Sequence, residues 1–208
     1  MTIAKKKRTR LSPEVRKNLI LDCAAEVVAA EGVSALSMER LGKEAEISKS
    51  LVYAYYPSMT ELLKILLKRE YKRLRAMQDE AARSAETFEQ LVRRITKAYL
   101  SYMDDRGLIL ERLAAEPSLS QHGDPTEFSR DVAVKYLAKV VHKNFEIDMS
   151  IALPAVDISF GMPAAAGTYL IHNNVSRQTI EDITVTMIIG SVEALSTNYV
   201  RSFKPLKK

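Results

Sequence analysis

The chain has 208 residues, of which 47% are hydrophobic and 27% are charged, and its formal net charge is +5. This length and apolar content suffice to bury a real core in one large domain or two small ones, as expected of an ordinary soluble globular protein. The single cysteine, Cys23, excludes an internal disulfide and a zinc site built from several cysteines, and it fits a reducing cytoplasm.

The first 17 residues are strongly basic. Glu14 is the one acidic residue among them, against basic residues at positions 5, 6, 7, 8, 10, 16 and 17. Basic arms of this kind are typical of segments that meet polyanions. The arm positions with this expectation are Lys5, Lys6, Lys7, Arg8 and Arg10.

Three helices are predicted in the first 57 residues, over 13–32, 37–46 and 48–56. A serine stands at the start of each, at positions 12, 37 and 48, where its side chain can cap the helix. The third helix must be short, because Pro57 disfavours helical geometry in the residue before it. A long helix followed by two short helices and a tight turn is the form of a helix-turn-helix unit, whose second short helix enters the DNA major groove.

The rest of the chain also has helical periodicity. Ser58–Glu61 has the form of a capping box and opens a fourth helix that runs to about residue 84. Further helices are predicted over 87–106, 109–116, 126–145, 153–172 and 179–202, with breaks at Gly107, Pro117–Ser118, residues 122–125 and residues 173–174. The predicted fold class is all-α, with a helix-turn-helix domain over residues 1–57 and a helical bundle over 58–208.

One apolar segment, residues 149–171, is long enough to span a membrane. Asp157, prolines at positions 154 and 163, and glycines at positions 161 and 167 argue against a span. We therefore predict that this segment is a helix of a soluble bundle and that the protein does not insert into a membrane.

Residues 16–63 carry a more specific pattern. The stretch RKNLILDCAAEVVAAEGVSALSMERLGKEAEISKSLVYAYYPSMTELL resembles the DNA-binding domain of the tetracycline-repressor (TetR) family of regulators. The matching positions are Ile20 with Ala24–Ala25, Gly32, Ser37, Leu41 with Ala45, Ile47–Ser48, and Val52–Tyr53 with Tyr55–Tyr56. The later helices fit the family's layout of a ligand-binding and dimerising bundle, although they carry no comparable signature.

The resemblance implies a homodimeric transcriptional regulator, most often a repressor, that leaves its DNA operator when a small molecule enters the bundle. The positions that fall where family members contact DNA are Ser37, Lys49, Ser50, Tyr53 and Tyr55. Lys49 and Ser50 would approach the bases, while the three other hydroxyls would donate hydrogen bonds to phosphates. The basic arm would follow the DNA backbone or enter the minor groove.

Three positions depart from the family's pattern. Glu46 stands where relatives usually have glycine, so the turn must either tolerate a strained backbone or differ in shape. Ala54 is small where relatives often carry an aromatic residue or histidine. Met59 replaces a lysine that relatives often use to grip phosphate, which weakens the expected set of phosphate contacts.

The bundle offers candidates for an effector cavity and for a dimer interface. The large side chains that could line a cavity are Tyr99, Tyr102, Met103, Phe128, Phe160, Met162 and Tyr169. They predict a mainly apolar effector that tyrosine hydroxyls orient. The residues predicted at the dimer interface are Gly161, Ala165, Ile183, Met187, Gly190 and Ala194. As the resemblance implies, a dimer would present two recognition helices to half-sites roughly 34 to 36 Å apart.

Two other classes of function compete with a DNA-binding regulator. For an enzyme, the chain lacks a glycine-rich phosphate loop and nucleophile motifs, and its histidines at positions 122, 142 and 172 have no metal-ligand spacing. We predict no catalysis, no metal site and no cofactor. The second alternative is a helical interaction protein that has lost specific DNA binding, which the three departures from the family's pattern favour.

Overall fold

The computed structural model describes residues 12–120 and 127–196, with the side chains of residues 120 and 127–129 left out. Every regular element in these ranges is a helix, which confirms the all-α class. The helices are α1 (Pro13–Glu31), α2 (Met38–Glu44), α3 (Lys49–Tyr55), α4 (Met59–Arg83), α5 (Phe88–Ala114), α6 (Pro117–Ser120), α7 (Glu127–Phe145), α8 (Met149–Ser159), α9 (Gly161–His172) and α10 (Arg177–Ser196), and a 3-10 turn (Val33–Ala35) follows α1.

The first four helices begin where the sequence predicts, because a serine caps each of them. The hydroxyl oxygens of Ser12, Ser37, Ser48 and Ser58 each accept a hydrogen bond from the backbone N–H three residues further on, at 3.0 to 3.3 Å. Such caps satisfy one of the N–H groups that a helix start leaves without an intrahelical partner. Gly32 ends α1 with a φ of 92°, a conformation that other residues adopt at a steric cost.

The predicted break at Gly107 is wrong. α5 runs without interruption from Phe88 to Ala114, with Gly107 buried inside it. A Cβ atom added to Gly107 would lie 2.8 Å from Cγ2 of Ile171, and one added to Gly167 of α9 would lie 2.9 Å from Cγ of Met103. The two glycines therefore serve the close packing of α5 against α9, not a turn.

The predicted helix over residues 153–172 is in fact two helices. Asp148 caps α8 by accepting a hydrogen bond from the Ser150 N–H at 2.8 Å, so the first helix starts earlier than predicted. Pro163 has no N–H to donate to the carbonyl of Ser159, which ends α8 at that residue. α9 begins two residues later, after Phe160. The predicted separator at Pro117–Ser118 does lie between α5 and α7, but Pro117 also begins a short helix, α6, that the sequence does not predict.

The segment Met149–His172 has the length and apolar composition of a membrane span. The break between α8 and α9 interrupts it, and Asp157 on its surface forms an ion pair with Arg130 of α7 at 2.9 Å. A match of one segment by length and composition is weak support for a span, since helices of soluble proteins pass the same test. The segment is better described as two surface helices of a folded bundle.

The main hydrophobic core is continuous across the predicted domain boundary at residues 57 and 58. Leu41 and Val52 of the helix-turn-helix unit pack in the same cluster as Leu66 of α4 and Leu113 of α5. A second cluster joins α7 and α8 to Val192 of α10. The predicted boundary therefore separates two sequence patterns but does not separate two hydrophobic cores. α4 and α5 belong to the core of the N-terminal unit as well as to the bundle.

A fully buried carboxylate lies at this junction. Glu70 of α4 accepts hydrogen bonds from Tyr102 Oη at 2.8 Å and Arg106 Nε at 2.6 Å, both on α5, and from Arg73 Nη1 at 3.1 Å. Burial opposes ionisation, but the hydrogen bonds from Arg106 and Tyr102 outweigh it and lower the pKa of Glu70. We call these four residues and the adjacent Arg69 the Glu70 cluster.

Arg69 extends this cluster to α1. Its Nη1 atom donates to Asp22 at 2.8 Å and its Nη2 atom donates to the carbonyl of Leu21 at 3.1 Å. Further along α5, Arg112 Nη1 donates to the carbonyls of Val28 and Ala29 at 2.7 and 2.8 Å. α1 is therefore fastened by charge-assisted hydrogen bonds to both α4 and α5, which limits independent movement of the N-terminal unit.

Candidate DNA-binding surface

α3 turns one side to the core and the other to solvent. Val52 is fully buried and Tyr56, at the C-cap, is 2% exposed. The Tyr56 hydroxyl donates to the carbonyl of Lys17 on α1 at 3.1 Å, and burial raises the pKa of this side chain to about 12. These contacts confirm the predicted core positions of Val52 and Tyr56 and fix the buried side of α3 against α1.

The opposite side of α3 is polar and exposed. Lys49, Ser50 and Tyr53 lie there within one helical turn, and Tyr53 is 46% exposed. The Ser50 hydroxyl lies 3.0 Å from that of Ser48. We call Lys49, Ser50 and Tyr53 the α3 face. The structure places these three predicted DNA contacts together, and Ser37 is also exposed, at the start of α2.

Lys49 is the uncompensated cation of this surface, with no carboxylate partner in the described part of the chain. Nearby basic side chains are paired: Lys43 of α2 with Glu39 at 3.3 Å, and Lys64 of α4 with Glu61 at 3.1 Å. A free ammonium group on an exposed helix can bind an anion without first giving up a protein partner. The electrostatics of the α3 face therefore suit a phosphate or the acceptor edge of a base.

Tyr55 lies in a different setting from Tyr53. Its ring is half-buried against the main core, and its hydroxyl accepts a hydrogen bond from Arg16 Nη1 at 3.4 Å. It lines an open surface cavity of about 320 Å³ between α1, α3 and α4. The sequence analysis counts Arg16 among the basic residues of the N-terminal segment but does not pair it with Tyr55, and here it could share a phosphate with the Tyr55 hydroxyl.

The turn between α2 and α3 depends on a glycine that the sequence analysis overlooked. The N–H of Ile47 donates to the carbonyl of Gly42 at 2.8 Å. A Cβ atom added to Gly42 would lie 2.9 Å from the Ile47 oxygen and 3.3 Å from the Lys49 nitrogen. Since both neighbours are backbone atoms, a larger residue would push α3 away from α2 and change the aim of the α3 face.

Glu46 occupies the same turn with a φ of 51°. Of the two alternatives that the sequence leaves open for this turn, the structure shows the first, a strained backbone at Glu46. A non-glycine residue in this left-handed region costs roughly 1 to 2 kcal/mol. The two other departures from the family's pattern lie in different environments. Ala54 is exposed, while Met59 packs against the main core.

Replacing Glu46 by glycine is expected to raise the free energy of unfolding by about 0.5 to 1 kcal/mol. The relief of the left-handed strain exceeds the entropy that glycine adds to the unfolded chain. Urea unfolding of both proteins measures the difference. Glu39→Gly, at an exposed site of α2 with helical backbone and an ion pair to Lys43, is the control and should lower stability by about 1 kcal/mol. A loss of stability in Glu46→Gly would contradict the strain.

The predicted effector-lining residues are dispersed in this structure. Tyr102 and Met103 are buried in the main core, Tyr99 packs beside it, and Phe160 packs against the second cluster. Met162 is half-buried, Tyr169 is 51% exposed, and the side chain of Phe128 lies outside the described residues. None of the six described side chains lines the open groove of about 550 Å³ between α4 and α5. Their role as effector contacts therefore remains a prediction.

The predicted dimer residues form exposed rows on two adjacent helices. Gly161 and Ala165 lie one turn apart on the outer side of α9. On α10, Ile183 and Met187 are 51% and 54% exposed, and they continue into Gly190. A Cβ atom added to Gly161 or Gly190 would have no neighbour within 4 Å. Ala194 is half-buried at the end of the same row.

The basic arm lies outside the described residues, so the predicted contacts of Lys5, Lys6, Lys7, Arg8 and Arg10 stay predictions. In the ranges that the structure covers, no group of three His, Cys, Asp or Glu side chains could hold a metal ion. The described histidines make ordinary contacts: His142 Nδ1 lies 2.8 Å from the carbonyl of Ile147, and His172 Nε2 lies 2.9 Å from Glu111.

The N-terminal unit matches a known protein family. Residues 20–66 match the family described as bacterial regulatory proteins, tetR family. The chain is 33% identical over 67 residues to the HTH-type transcriptional repressor KstR of Mycolicibacterium smegmatis, covering 32% of this chain and 33% of KstR. It is 36% identical over 62 residues to the HTH-type transcriptional regulator LuxR of Vibrio harveyi, or 30% of each chain. The chain thus matches about a third of the length of these curated relatives.

Solved structures resemble nearly the whole chain. A TetR-like transcriptional regulator from Rhodococcus sp. RHA1 has a TM-score of 0.71 at 20% identity, over 88% of this chain and 99% of that one. A tetR-family regulator from Streptomyces coelicolor has a TM-score of 0.70 at 17% identity, over 91% and 85%. LfrR from Mycobacterium smegmatis, in complex with proflavine, has a TM-score of 0.61 at 20% identity, over 85% and 96%. At these identities the likeness concerns the fold.

Proposed function

This chain belongs to the TetR family of transcriptional regulators by its N-terminal domain and its fold, and from this premise we propose that it represses transcription as a homodimer on a palindromic operator. A small-molecule effector in the helical bundle would release the DNA. We place this activity in the cytoplasm, where operator DNA is accessible. The sign of regulation follows KstR, whose name describes a repressor, and the effector follows LfrR, whose structure contains proflavine.

The observation that carries the proposal is the α3 face. Lys49 has no carboxylate partner in the described part of the chain, and the hydroxyls of Ser50 and Tyr53 lie beside it on an exposed helix. Lysine and serine can bind acceptors on base edges, while a tyrosine hydroxyl fixes register through phosphate. Val52 and Tyr56 hold the helix rigidly to α1 and the core, so these groups are presented in a fixed arrangement.

Dimerisation is proposed through α9 and α10. The exposed rows on these helices combine apolar side chains with glycine and alanine, so two copies could pack closely and bury apolar surface. Ile158, which is 75% exposed at the end of α8, extends the same apolar area. A symmetric pairing of these helices would also explain why an apolar segment of the bundle faces outward.

Replacing Met187 by glutamate is expected to weaken the dimer at least about tenfold, because a two-fold interface would bury two new carboxylates near each other. Analytical ultracentrifugation over a range of protein concentrations measures the dissociation constant. Val132→Glu is the matched control, since Val132 on α7 is equally exposed at 50%. A dimer that survives Met187→Glu but dissociates with Val132→Glu would place the interface on α7 instead.

Coupling between effector and DNA is proposed to run through α4. The N-terminus of α4 follows α3 after Tyr56. Near the middle of α4, Glu70 accepts hydrogen bonds from Tyr102 and Arg106 of α5. An effector that favours a different α5 arrangement would shift α4 through this cluster and change the separation of the two α3 helices. The free energy of coupling can be no larger than the effector's difference in affinity for the two arrangements.

Selection of bound sequences from a random DNA pool tests the proposal. A palindromic consensus, with half-sites one helical turn apart or a multiple of it, is the expected result. Binding to that consensus should exceed binding to random DNA by at least about a thousandfold at physiological salt. Recovery of DNA with no shared sequence would instead favour a helical interaction protein that has lost specific DNA binding.

A further inference from the structure

A second carboxylate is buried in the bundle, but without partners. Glu181 of α10 is 3% exposed and makes no hydrogen bond or ion pair within the part of the chain that the structure describes. A buried carboxylate is unfavourable unless hydrogen bonds or opposite charges surround it. Glu181 therefore marks a place where the folded chain leaves a strong acceptor unused.

The ion pairs between α5 and α10 fix what lies opposite Glu181. Arg177 Nη1 donates to Asp104 at 3.0 Å, and Arg93 Nη1 donates to Asp182 at 3.1 Å, so the two helices run antiparallel. In this register Glu181 is level with Thr96 of α5. Thr96 is 2% exposed, and its hydroxyl has no hydrogen-bond partner among the described residues either. A carboxylate and a hydroxyl, both buried and both unused, thus share one level of the bundle.

Glu70 provides a comparison, because it is a buried carboxylate whose hydrogen bonds stabilise the fold. Glu70 is fully enclosed and receives hydrogen bonds from Tyr102, Arg106 and Arg73. Glu181 has no comparable donor, although basic side chains stand nearby on the same helix pair. Arg93 and Arg177 are instead engaged with Asp182 and Asp104 on the outside. The contrast indicates that the partner of Glu181 is not among the residues that the structure describes.

The carboxylate of Glu181 is not sealed from water. The fully enclosed side-chain atoms without a partner in the described ranges are Arg16 Nε and Arg69 Nε, so the Glu181 oxygens open on a narrow accessible space. Leu100, Leu170 and Ile180 form a small apolar cluster in the same part of the α5–α10 interface, with Tyr99 at its edge. The surroundings therefore combine one acidic anchor with an apolar wall.

We propose that Glu181 and Thr96 anchor the cationic group of the effector, an organic molecule with an ammonium, amidinium or protonated ring nitrogen and an apolar body. A metal ion does not fit, because the described residues provide no group of acidic, His or Cys side chains to coordinate one. The inference deepens the proposed function and rests on it. It also refines the expectation of a mainly apolar effector to that of an amphipathic cation.

Direct binding of a cationic probe, without DNA, tests the site. Proflavine fluorescence is titrated with the native dimer, with Glu181→Gln, and with Asp182→Asn, which removes the same charge from the adjacent, exposed position. Glu181→Gln is expected to weaken binding at least tenfold, since it removes a desolvated ion pair, whereas Asp182→Asn should change it less than twofold. Binding of the neutral probe N-phenyl-1-naphthylamine should be equal in all three proteins.

Equal proflavine affinity in the native protein and Glu181→Gln, or no proflavine binding at all, would overturn the inference. Thermal unfolding without probe separates ligand binding from a structural role. Glu181→Gln should raise Tm by roughly 2 °C or more, because it removes an unpaired buried charge. A lower Tm would show that Glu181 has a structural partner, and would also overturn the inference. Probe binding that leaves DNA affinity unchanged would instead refute effector-driven release while keeping the site.

Discussion

The variant with both Lys49→Ala and Tyr53→Ala is expected to bind the selected operator roughly 100- to 1,000-fold more weakly than the native protein. Each side chain is expected to contribute about 1 kcal/mol or more, and a dimer presents each of them twice. Both side chains are exposed, so their removal should leave the fold and its stability nearly unchanged. Fluorescence anisotropy of labelled operator at a fixed salt concentration measures the loss.

A change of charge far from α3 supplies the control for this loss. Lys139→Ala, on the exposed surface of α7, removes the same charge and should change operator affinity less than twofold. The base preference of each variant gives a second readout. Because Lys49 is placed toward the bases, Lys49→Ala should relax the preference at the base position that it contacts, by about 1 to 3 kcal/mol, and Lys139→Ala should leave the preference unchanged. Equal losses in the two variants would mean that the α3 face has no special role.

Replacing Arg106 by methionine is expected to lower the free energy of unfolding by about 3 kcal/mol. Methionine keeps much of the apolar stem, but it leaves the fully buried Glu70 carboxylate without its shortest hydrogen bond, at 2.6 Å. Removing one partner of a buried ion pair is costly because the other charge stays buried. Urea unfolding measures the change. Arg93→Met, in an exposed ion pair, is the control and should cost less than about 1 kcal/mol.

The same cluster gives stability a defined dependence on pH. Because the pKa of Glu70 is lower in the folded protein than its ordinary value of 4.5, the folded state favours the ionised carboxylate. Its contribution is fully present above pH 4.5 and is lost as pH falls through the lowered pKa. Glu70→Gln should therefore lose less stability than the native protein between neutral pH and pH 3. Parallel acid unfolding curves for the two proteins would contradict the assignment.

The sequence predicts the N-terminal helices well because their starts are determined locally. A serine cap depends on one side chain and one N–H three residues away, so Ser12, Ser37, Ser48 and Ser58 are visible in the sequence. Glycine is ambiguous by comparison. Gly107 permits the close crossing of α5 and α9, and only the tertiary structure distinguishes that role from a helix end.

Burial of polar residues could not be predicted from the sequence. Glu70 stands among charged residues of α4, and Glu181 lies between Ile180 and the exposed Asp182 in α10. A glutamate in a helix is ordinarily exposed, so neither sequence indicates burial. Their environments differ because of residues distant in the chain, such as Arg106 for Glu70. The surroundings of three predicted effector residues also depend on residues distant in the chain: Tyr99 lies beside the main core, Phe160 packs against the second cluster, and Tyr169 is 51% exposed.

The proposed function requires that a dimer place α3 of each copy in successive major grooves on one side of the DNA, and the separation of the two operator half-sites tests this requirement. Operator affinity is measured before and after insertion of 5 base pairs, about half a helical turn, between the half-sites. We predict that the insertion reduces affinity to that of a single half-site, since the second recognition helix then faces the wrong side of the duplex. Unchanged affinity would contradict a dimer that reads both half-sites through α3.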